Sequence, residues 1–408
     1  MKNVAIIGGG AAGLMAAYAA SQNGNNVTLF EKNEKCGKKI YITGKGRCNV
    51  THNCSPEEFL TNVVNNSRFL TSAIYSFPPD KCVEFFENGG LSLKLERGAR
   101  YFPVSDKASD VTKCLLKYCI SSGVAFKYNE PVKKILVLNS TVSGIITDKG
   151  EYLFDCVIIC TGGLSYPSTG STGDGYKFAK EIGHKIVPLK QGLCGINLKG
   201  DYFKSLQGLS LKNVNLSVCH NGKKIRDFFG ELLFTHFGIS GPTVLSASSI
   251  INRFEPGTVK LTIDLKPALT SEQLNSRLLR DFEVGKNKSI FNCLRELLPL
   301  ATINEILKRS CLDGEKKVNS VTRNERLRLL TTIKNFDMLV ASLRDFSEAV
   351  ITSGGVDVKE VNPKTMESKI VKGLYFAGEV LDVDAFTGGF NLQIAFSTGF
   401  AAGNAIKE

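Results

Sequence analysis

Three glycines near the start of the chain, Gly8, Gly10 and Gly13, stand at the spacing G-x-G-x-x-G, and Glu31 follows eighteen residues after the last of them. Together they can hold a diphosphate and a sugar. Gly8 permits a tight turn, Gly10 lets the backbone approach a pyrophosphate, and Gly13 lets a helix lie close on the preceding strand. A helix opening at Ala11 and Ala12 offers free N–H groups and a positive dipole end to the phosphates. Glu31 can accept hydrogen bonds from the hydroxyls of an adenosine ribose, which argues for a 2′-hydroxyl there rather than a 2′-phosphate.

Near residue 390, Gly388, Gly389 and Asn391 open a second helix of small residues, and Glu379 follows Gly378 just before it. That helix can aim its N-terminus at a flavin pyrimidine carbonyl and stabilise the negative charge of the reduced ring. Thr161, Gly162 and Gly163 close a buried apolar stretch and can again bring backbone close to a cofactor. Each reading has a plainer rival. These are a packing turn for the first set, a helix covering a sheet edge for the second, and an ordinary glycine turn for the third.

The elements that must position these residues weigh against the rivals. With 39 glycines in 408 residues, chance supplies about 0.4 such patterns in this length, so the spacing alone decides little. The stretch KNVAIIGGGAAGLMAAYAASQNGNNVTLFEK, however, reads as a strand, a glycine turn, a helix of small residues and a second strand, a βαβ unit. Leu374 to Ala377 reads as a strand before the second glycine-opened helix, where Gly399 and Ala401 would let that helix pack closely on a sheet. A chain with both features can hold the two ends of one long cofactor, and FAD has that length. No second G-x-G-x-x-G occurs, so NAD(P)H, if used, must dock transiently over the flavin.

Bulk properties narrow the class. At 408 residues the chain exceeds one ordinary core, and more than one domain is expected. The formal charge is +12, but the lysines are scattered and tryptophan is absent. That pattern favours solubility over a nucleic-acid surface, which concentrates basic and aromatic residues together. Twelve cysteines at irregular spacing, none in C-x-x-C, read as reduced thiols of a cytoplasmic protein, and with only four histidines no metal site is expected. The uncharged stretch after Lys2 superficially resembles a secretory leader, yet Gly8 to Gly10 would interrupt its apolar core. No run of about eighteen apolar residues predicts a membrane span.

The segments above, with GKKIYITGKGRCNVT from Gly37, RYFPVSDKASDV from Arg100, LLFTHFGISGP from Leu232 and ITSGGVDVKEVNPKTMESK from Ile351, resemble a family of bacterial flavoproteins related to aminoacetone oxidase and to a bile-acid reductase. The resemblance spans nearly the whole chain. It implies an α/β fold, a Rossmann-like FAD-binding domain of glutathione-reductase type split in sequence, with a β-rich and a helical insertion. The expected limits are 1–190 and 357–408 for the FAD domain, 191–268 with a return at 336–356 for the β-rich part, and 269–335 for the helices. Local patterning agrees, with alternation and an Asn221-Gly222 turn in the first insertion and Leu-, Arg- and Glu-rich helices in the second.

The resemblance also places Gly46, Arg47, Cys48 and Asn49 beside the flavin ring. It extends the cofactor set to Ala11, Ala12, Lys32, Lys39, Val132, Asp382, Phe390, Leu392 and Gln393. Arg47 could then balance anionic flavin or a substrate carboxylate, and Asn49 could bond the pyrimidine edge. Without the resemblance, the run Lys35, Lys38, Lys39 and Lys45 reads as a solvated face. Cys48 and Cys54 lack the spacing of a redox pair, and Cys114 and Cys119 fall on a helix where they point apart, so Cys48 reads as packing or a ring contact. His236 reads as a structural histidine, with a place in an active-site cleft as its alternative.

The function implied is an FAD-dependent oxidoreductase passing a hydride through flavin N5 to or from a small organic substrate. Reduction of an enone-type double bond with NAD(P)H and oxidation of an amine by oxygen both stay open. A flavin-containing RNA-binding protein is the reading from another class. No residue stands out as an obligatory acid or base.

Overall fold

The computed structural model describes residues 1–255 and 257–407. The chain divides into two compact units, Met1–Gly192 with Phe346–Glu408, and Leu193–Asp345.

In the first unit β1 (Asn3–Ile7) is an apolar run with four of its five residues buried, as a strand covered on both faces requires. The chain turns at the glycines into α1 (Ala11–Gln22). Alanine suits this helix twice, through its high helix propensity and because almost every face of α1 is buried. β2 (Asn26–Glu31) returns alongside β1. After short helices and strand pairs, α2 (Ala108–Ser121) leads to β3 (Ala125–Tyr128). An antiparallel meander of β4 (Val132–Leu138), β5 (Thr141–Thr147) and β6 (Gly150–Leu153) then feeds β7 (Cys156–Ile159). Further along, β8 (Ile186–Gly192) pairs antiparallel with β9 (Ile351–Val356), β10 (Leu374–Phe376) follows, and α3 (Phe390–Ala405) ends the unit.

The main sheet is parallel throughout, in the order β10-β7-β1-β2-β3. β1 is therefore central, with Val4 opposite Cys156 on one side and Val27 on the other. Ligands of open α/β sheets bind at the carboxyl ends of such strands, which is where the glycine turn sits. The expectation that α3 packs on the sheet needs correction. Its small residues meet α1 instead: a Cβ built on Gly399 would lie 2.4 Å from the Ala12 carbonyl oxygen, and one on Gly403 would lie 2.4 Å from that of Ala16. The residues at the two ends of the sequence thus form one helix seam.

The second unit holds a closed antiparallel barrel, ordered Ile196–Leu198, Gly238–Ser240, Lys223–Thr235, Ser210–His220, Val259–Asp264 and Phe336–Leu343. Its long hairpin turns at Asn221 (φ 50°) and Gly222 (φ 75°), the left-handed pair a two-residue loop demands. Four α-helices follow, Ser271–Val284, Ile290–Leu294, Leu300–Arg309 and Arg323–Lys334. The first and last open with capping boxes, Thr270 with Gln273 and Thr322 with Glu325.

Two expectations differ from this arrangement. Pro242–Ile251 is a helix inside the stretch that alternates like strands, started by Pro242 at its first turn and almost wholly buried, so it carries no amphipathic signature. The stretch 336–356 is not one return: 336–343 closes the barrel, whereas β9 joins β8 in the first unit.

Candidate cofactor site

All the sequence-derived site residues lie in the first unit. At the end of β1, Gly8 has φ 103°, and a Cβ there would press to 2.6 Å from the Cys160 carbonyl oxygen just past β7. Gly13 is tighter still, since its Cβ would come within 1.9 Å of the Gly8 carbonyl oxygen. These two glycines weld α1 to the turn. Gly10 differs: its backbone is extended (φ −83°, ψ −169°), and a Cβ would meet nothing within 4 Å. Its surroundings are open space at the N-terminus of α1, with Ala11 and Ala12 buried behind it.

Glu31, 7% exposed, ends β2 facing this turn. Oε2 accepts the Gly9 N–H at 2.8 Å, and Oε1 accepts the Asn33 backbone N–H at 2.8 Å and its side-chain amide at 2.7 Å. A carboxylate has about four acceptor sites, so one is left for a sugar hydroxyl. Burial pushes the adjoining Cys36 thiol up to about 12. Val132 is buried on β4, two residues past Glu130, whose N–H donates to the Glu31 carbonyl at 3.1 Å.

Several expected cofactor ligands have protein partners. Lys32 Nζ donates to Asp174 Oδ2 at 2.8 Å and to Thr172 Oγ1 at 2.5 Å. Lys39 Nζ donates to Glu379 Oε2 at 2.6 Å and to Ser165 Oγ at 2.5 Å, which joins two predicted site residues from distant parts of the chain. Glu379 Oε1 in turn accepts the Thr352 N–H at 2.8 Å. Asp382 accepts from the Asn66 amide through both its carbonyl and its carboxylate.

Arg47 requires correction as a free counter-charge. Its guanidinium is claimed by Glu96 and Asp106 and lies over the Phe102 ring at 4.4 Å. Both carboxylates are held below their ordinary range by hydrogen bonds, Glu96 chiefly to Arg47 and Asp106 chiefly to Lys94. The lysine run is likewise engaged in part, with Lys38 paired to Glu34 at 2.7 Å and Lys35 over the Tyr41 ring.

The loop ahead of Asn49 is strongly curled, with Gly46 at φ 85° and Cys48 at φ 61°. Cys48 is fully buried and its thiol is pushed up to about 12 by burial, so it is packing and not a thiolate nucleophile at neutral pH. Cys114 and Cys119 turn to different partners, the Phe86 and Leu14 carbonyls. Asn49 faces the start of α3, and a Cβ on Gly389 would lie 3.0 Å from its Oδ1.

Gly388 (φ 132°) and Gly389 (φ 100°) give α3 its sharp entry. The next residues mostly brace that entry. Asn391 bonds the Ala385 N–H and carbonyl, and buried Gln393 accepts from Thr51 Oγ1 at 2.6 Å while donating to the Phe77 carbonyl at 2.9 Å. Leu392 packs against the core. Phe390 stacks on His52 at 4.5 Å, and His52 Nδ1 lies 3.1 Å from the Gly388 carbonyl oxygen.

Thr161, Gly162 (φ 71°) and Gly163 follow β7, and a Cβ on Gly163 would strike Thr352 Oγ1 at 2.3 Å and Glu379 Oε1 at 2.7 Å. Gly378 (φ 77°) abuts Ala12 in the first turn of α1, at 2.8 Å from a built Cβ. Sequence reasoning missed Ser165, His52, Thr352 and Asp174; nothing in their local spacing marks them, because their partners are remote in sequence. His236, expected to be structural, sits exposed in the turn between two barrel strands, edge-on to Phe237.

A dinucleotide fits this set. Beyond the open face at Gly10 and the spare acceptor of Glu31, Asn49 Oδ1 and Thr161 Oγ1 are buried without a hydrogen-bond partner among the described residues. Such orphans are costly unless a ligand satisfies them.

Comparison with known proteins agrees. The model of the HI0933-like protein Rossmann domain matches residues 2–405. The chain is 29% identical over 412 residues to 3-dehydro-bile acid delta(4,6)-reductase of Clostridium scindens, covering 100% of both. It is 30% identical over 400 residues to ribosomal RNA dihydrouridine synthase of Escherichia coli, covering 97% of this chain and 96% of that one. Among solved structures, a 3-ketosteroid-delta4-(5alpha)-dehydrogenase from Rhodococcus jostii RHA1 shares the fold, with a TM-score of 0.54 at 14% identity over 99% of this chain and 96% of that one. With a match of this extent, the chain belongs to the HI0933-like Rossmann family and is an FAD-dependent oxidoreductase.

Proposed function

We propose that the enzyme is a reductase that saturates a carbon–carbon double bond conjugated to a carbonyl, with NAD(P)H as a transient donor. The observation that carries this reading is the pair of relatives, whose names denote a steroid-ring reductase and the formation of dihydrouridine, both additions of hydrogen across such a bond. When bound, FAD supplies a hydride relay at N5 between donor and acceptor.

The chain's own residues do the holding. The open backbone at Gly10 and the N–H groups of α1 take the diphosphate, and Glu31 takes the ribose. Asn49 Oδ1 and the N-terminus of α3 would hold the pyrimidine end, where the helix dipole would favour the negative charge of reduction. Gln393, Asn391 and His52 keep the Gly388-Gly389 entry in place for that task. Arg47, already neutralised, orders the loop that carries Asn49.

The decisive experiment mixes the protein anaerobically with NADH and NADPH separately and follows flavin absorbance, then admits air. Bleaching by one nicotinamide with slow reoxidation is expected. An absence of bleaching by either, with peroxide produced from an amine in air, would make it an oxidase.

A second reading, in which the double bond belongs to a uracil in RNA, is favoured by charge. The second unit holds 23 Lys and Arg against 15 Asp and Glu, a net +8 of the chain's +12, so the cations are less evenly spread than the sequence pattern suggests. Phosphate-driven binding weakens steeply with salt. If a ribosomal RNA fragment does not shift in mobility with the protein even at low ionic strength, this second reading is discarded.

A further inference from the structure

The loop after β7 does not simply lead to the next helix. β7 and β2 flank β1 on opposite sides, and the segment 164–174, which leaves β7, is tied to the residues that leave β2. At its start Ser165 Oγ accepts from Lys39 and donates to Glu379 Oε1 at 2.8 Å, while the Ser165 N–H donates to Thr352 Oγ1 at 3.1 Å. At its end Thr172 and Asp174 both accept from Lys32, and the Thr169 carbonyl accepts from the Asn33 amide at 3.2 Å. A Cβ on Gly170 would lie 2.6 Å from that amide and 3.2 Å from Lys32 Cε, so the backbone itself rests on the Lys32-Asn33 corner. A segment fixed to both neighbours of β1 must cross the carboxyl end of β1, where the glycine turn opens.

Its backbone suits a piece that swings. Gly162, Gly170 and Gly173 have φ 71°, 106° and 80°, and Tyr166 takes the left-handed region at φ 51°, which a bulky side chain adopts only when its surroundings insist. Apart from the tethers, most of its backbone bonds are local, such as Thr169 N–H to the Tyr166 carbonyl and Gly170 N–H to that of Pro167. The Lys32–Asp174 pair is about 30% exposed on each side, within reach of water and salt.

We infer that residues 164–174 are a strap closed across the mouth of the dinucleotide groove, and that the Lys32–Asp174 latch limits release of FAD. Lys32 is then a positioning residue that retains the cofactor through Asp174 and does not ligate the phosphates. The proposal rests on the placement of the diphosphate at Gly10, and the test reads the two separately.

FAD release is followed by the recovery of flavin fluorescence after dilution of the holoenzyme, for wild type, Lys32→Met, Asp174→Asn and the double variant. Each single change should speed release at least tenfold, and the double variant should release no faster than the quicker single one. Raising salt should speed release from wild type and leave the variants unmoved, a comparison that needs no variant to be as stable as the parent. Release rates within twofold of wild type in both singles would overturn the latch. So would rapid release from Lys32→Met combined with slower release from Asp174→Asn, because a freed lysine that tightens binding is a direct phosphate ligand. Full flavin in a Gly10→Val protein would instead remove the groove assignment.

Discussion

Single residues carry the cofactor assignment, and glycine does so in two opposite ways. Gly8 and Gly13 are small because protein fills the space beside them, whereas Gly10 is small beside space that protein leaves empty. The three should therefore respond differently to substitution. Gly10→Val has an extended backbone that tolerates a side chain, so the variant should fold, with a melting temperature within a few degrees of wild type, yet purify without yellow colour; absorbance near 450 nm and circular dichroism check both halves. Gly13→Ala should instead cost about 1–3 kcal/mol of stability by overpacking, read in denaturant unfolding. The turn these glycines make and its closeness to Glu31 were legible in the sequence because their spacing is local. Arg47 was not, since the carboxylates that neutralise it lie 49 and 59 positions further along and no periodicity links them.

Among elements, the seam between α1 and α3 has the least tolerance. Gly399 and Gly403 stand against carbonyl oxygens of α1, and backbone cannot move aside as a flexible side chain can. Gly399→Val should therefore lower the melting temperature markedly and take flavin binding with it, because the turn before α1 and the entry to α3 would lose their shared support. If instead the variant keeps both stability and colour, the seam is softer than its geometry. The small-residue character of both helices was visible beforehand, but the choice between packing on the sheet and packing on each other is a tertiary matter. The buried helix Pro242–Ile251 was missed for a related reason: with nearly every face covered, its serines and β-branched residues imitate a strand.

For the whole molecule, acid should be the weak side. His184 is buried, and burial pushes its imidazole below the ordinary value against the opposing pull of Glu360. Ser368 Oγ accepts the Ile370 and Val371 N–H groups, so its own hydrogen goes to Nε2 of His184, and Nδ1–H donates to Glu360 at 3.1 Å. The folded protein thus binds this proton less readily than the unfolded chain, whose histidine titrates near about 6.5. The stabilisation from the neutral ring is complete above that pH and is lost as pH falls below it. Melting temperature should drop between about pH 7 and pH 5, and His184→Asn should flatten that slope at the expense of a lower plateau; an unchanged slope would place the acid sensitivity elsewhere. The chain divides into two units, Met1–Gly192 with Phe346–Glu408 and Leu193–Asp345. Its joint at residue 346 could not be read, because strands 336–343 and 351–356 look alike and differ only in the sheet they enter.

The pairing of the first helix with the last has a consequence for synthesis. Asn25 reaches the Ile406 carbonyl across 381 positions, and α1 finds its full complement of neighbours only in α3. Until the residues of α3 have been added, the nascent α1 must wait with its alanine face unsheltered, which at about 5–20 residues per second is tens of seconds. The glycine turn before α1 can therefore form early, whereas the Gly388-Gly389 entry waits for α3. A fragment that stops short of α3 should therefore leave the alanine face of α1 uncovered and fold less stably than the chain that includes it, which limited proteolysis of the two would read.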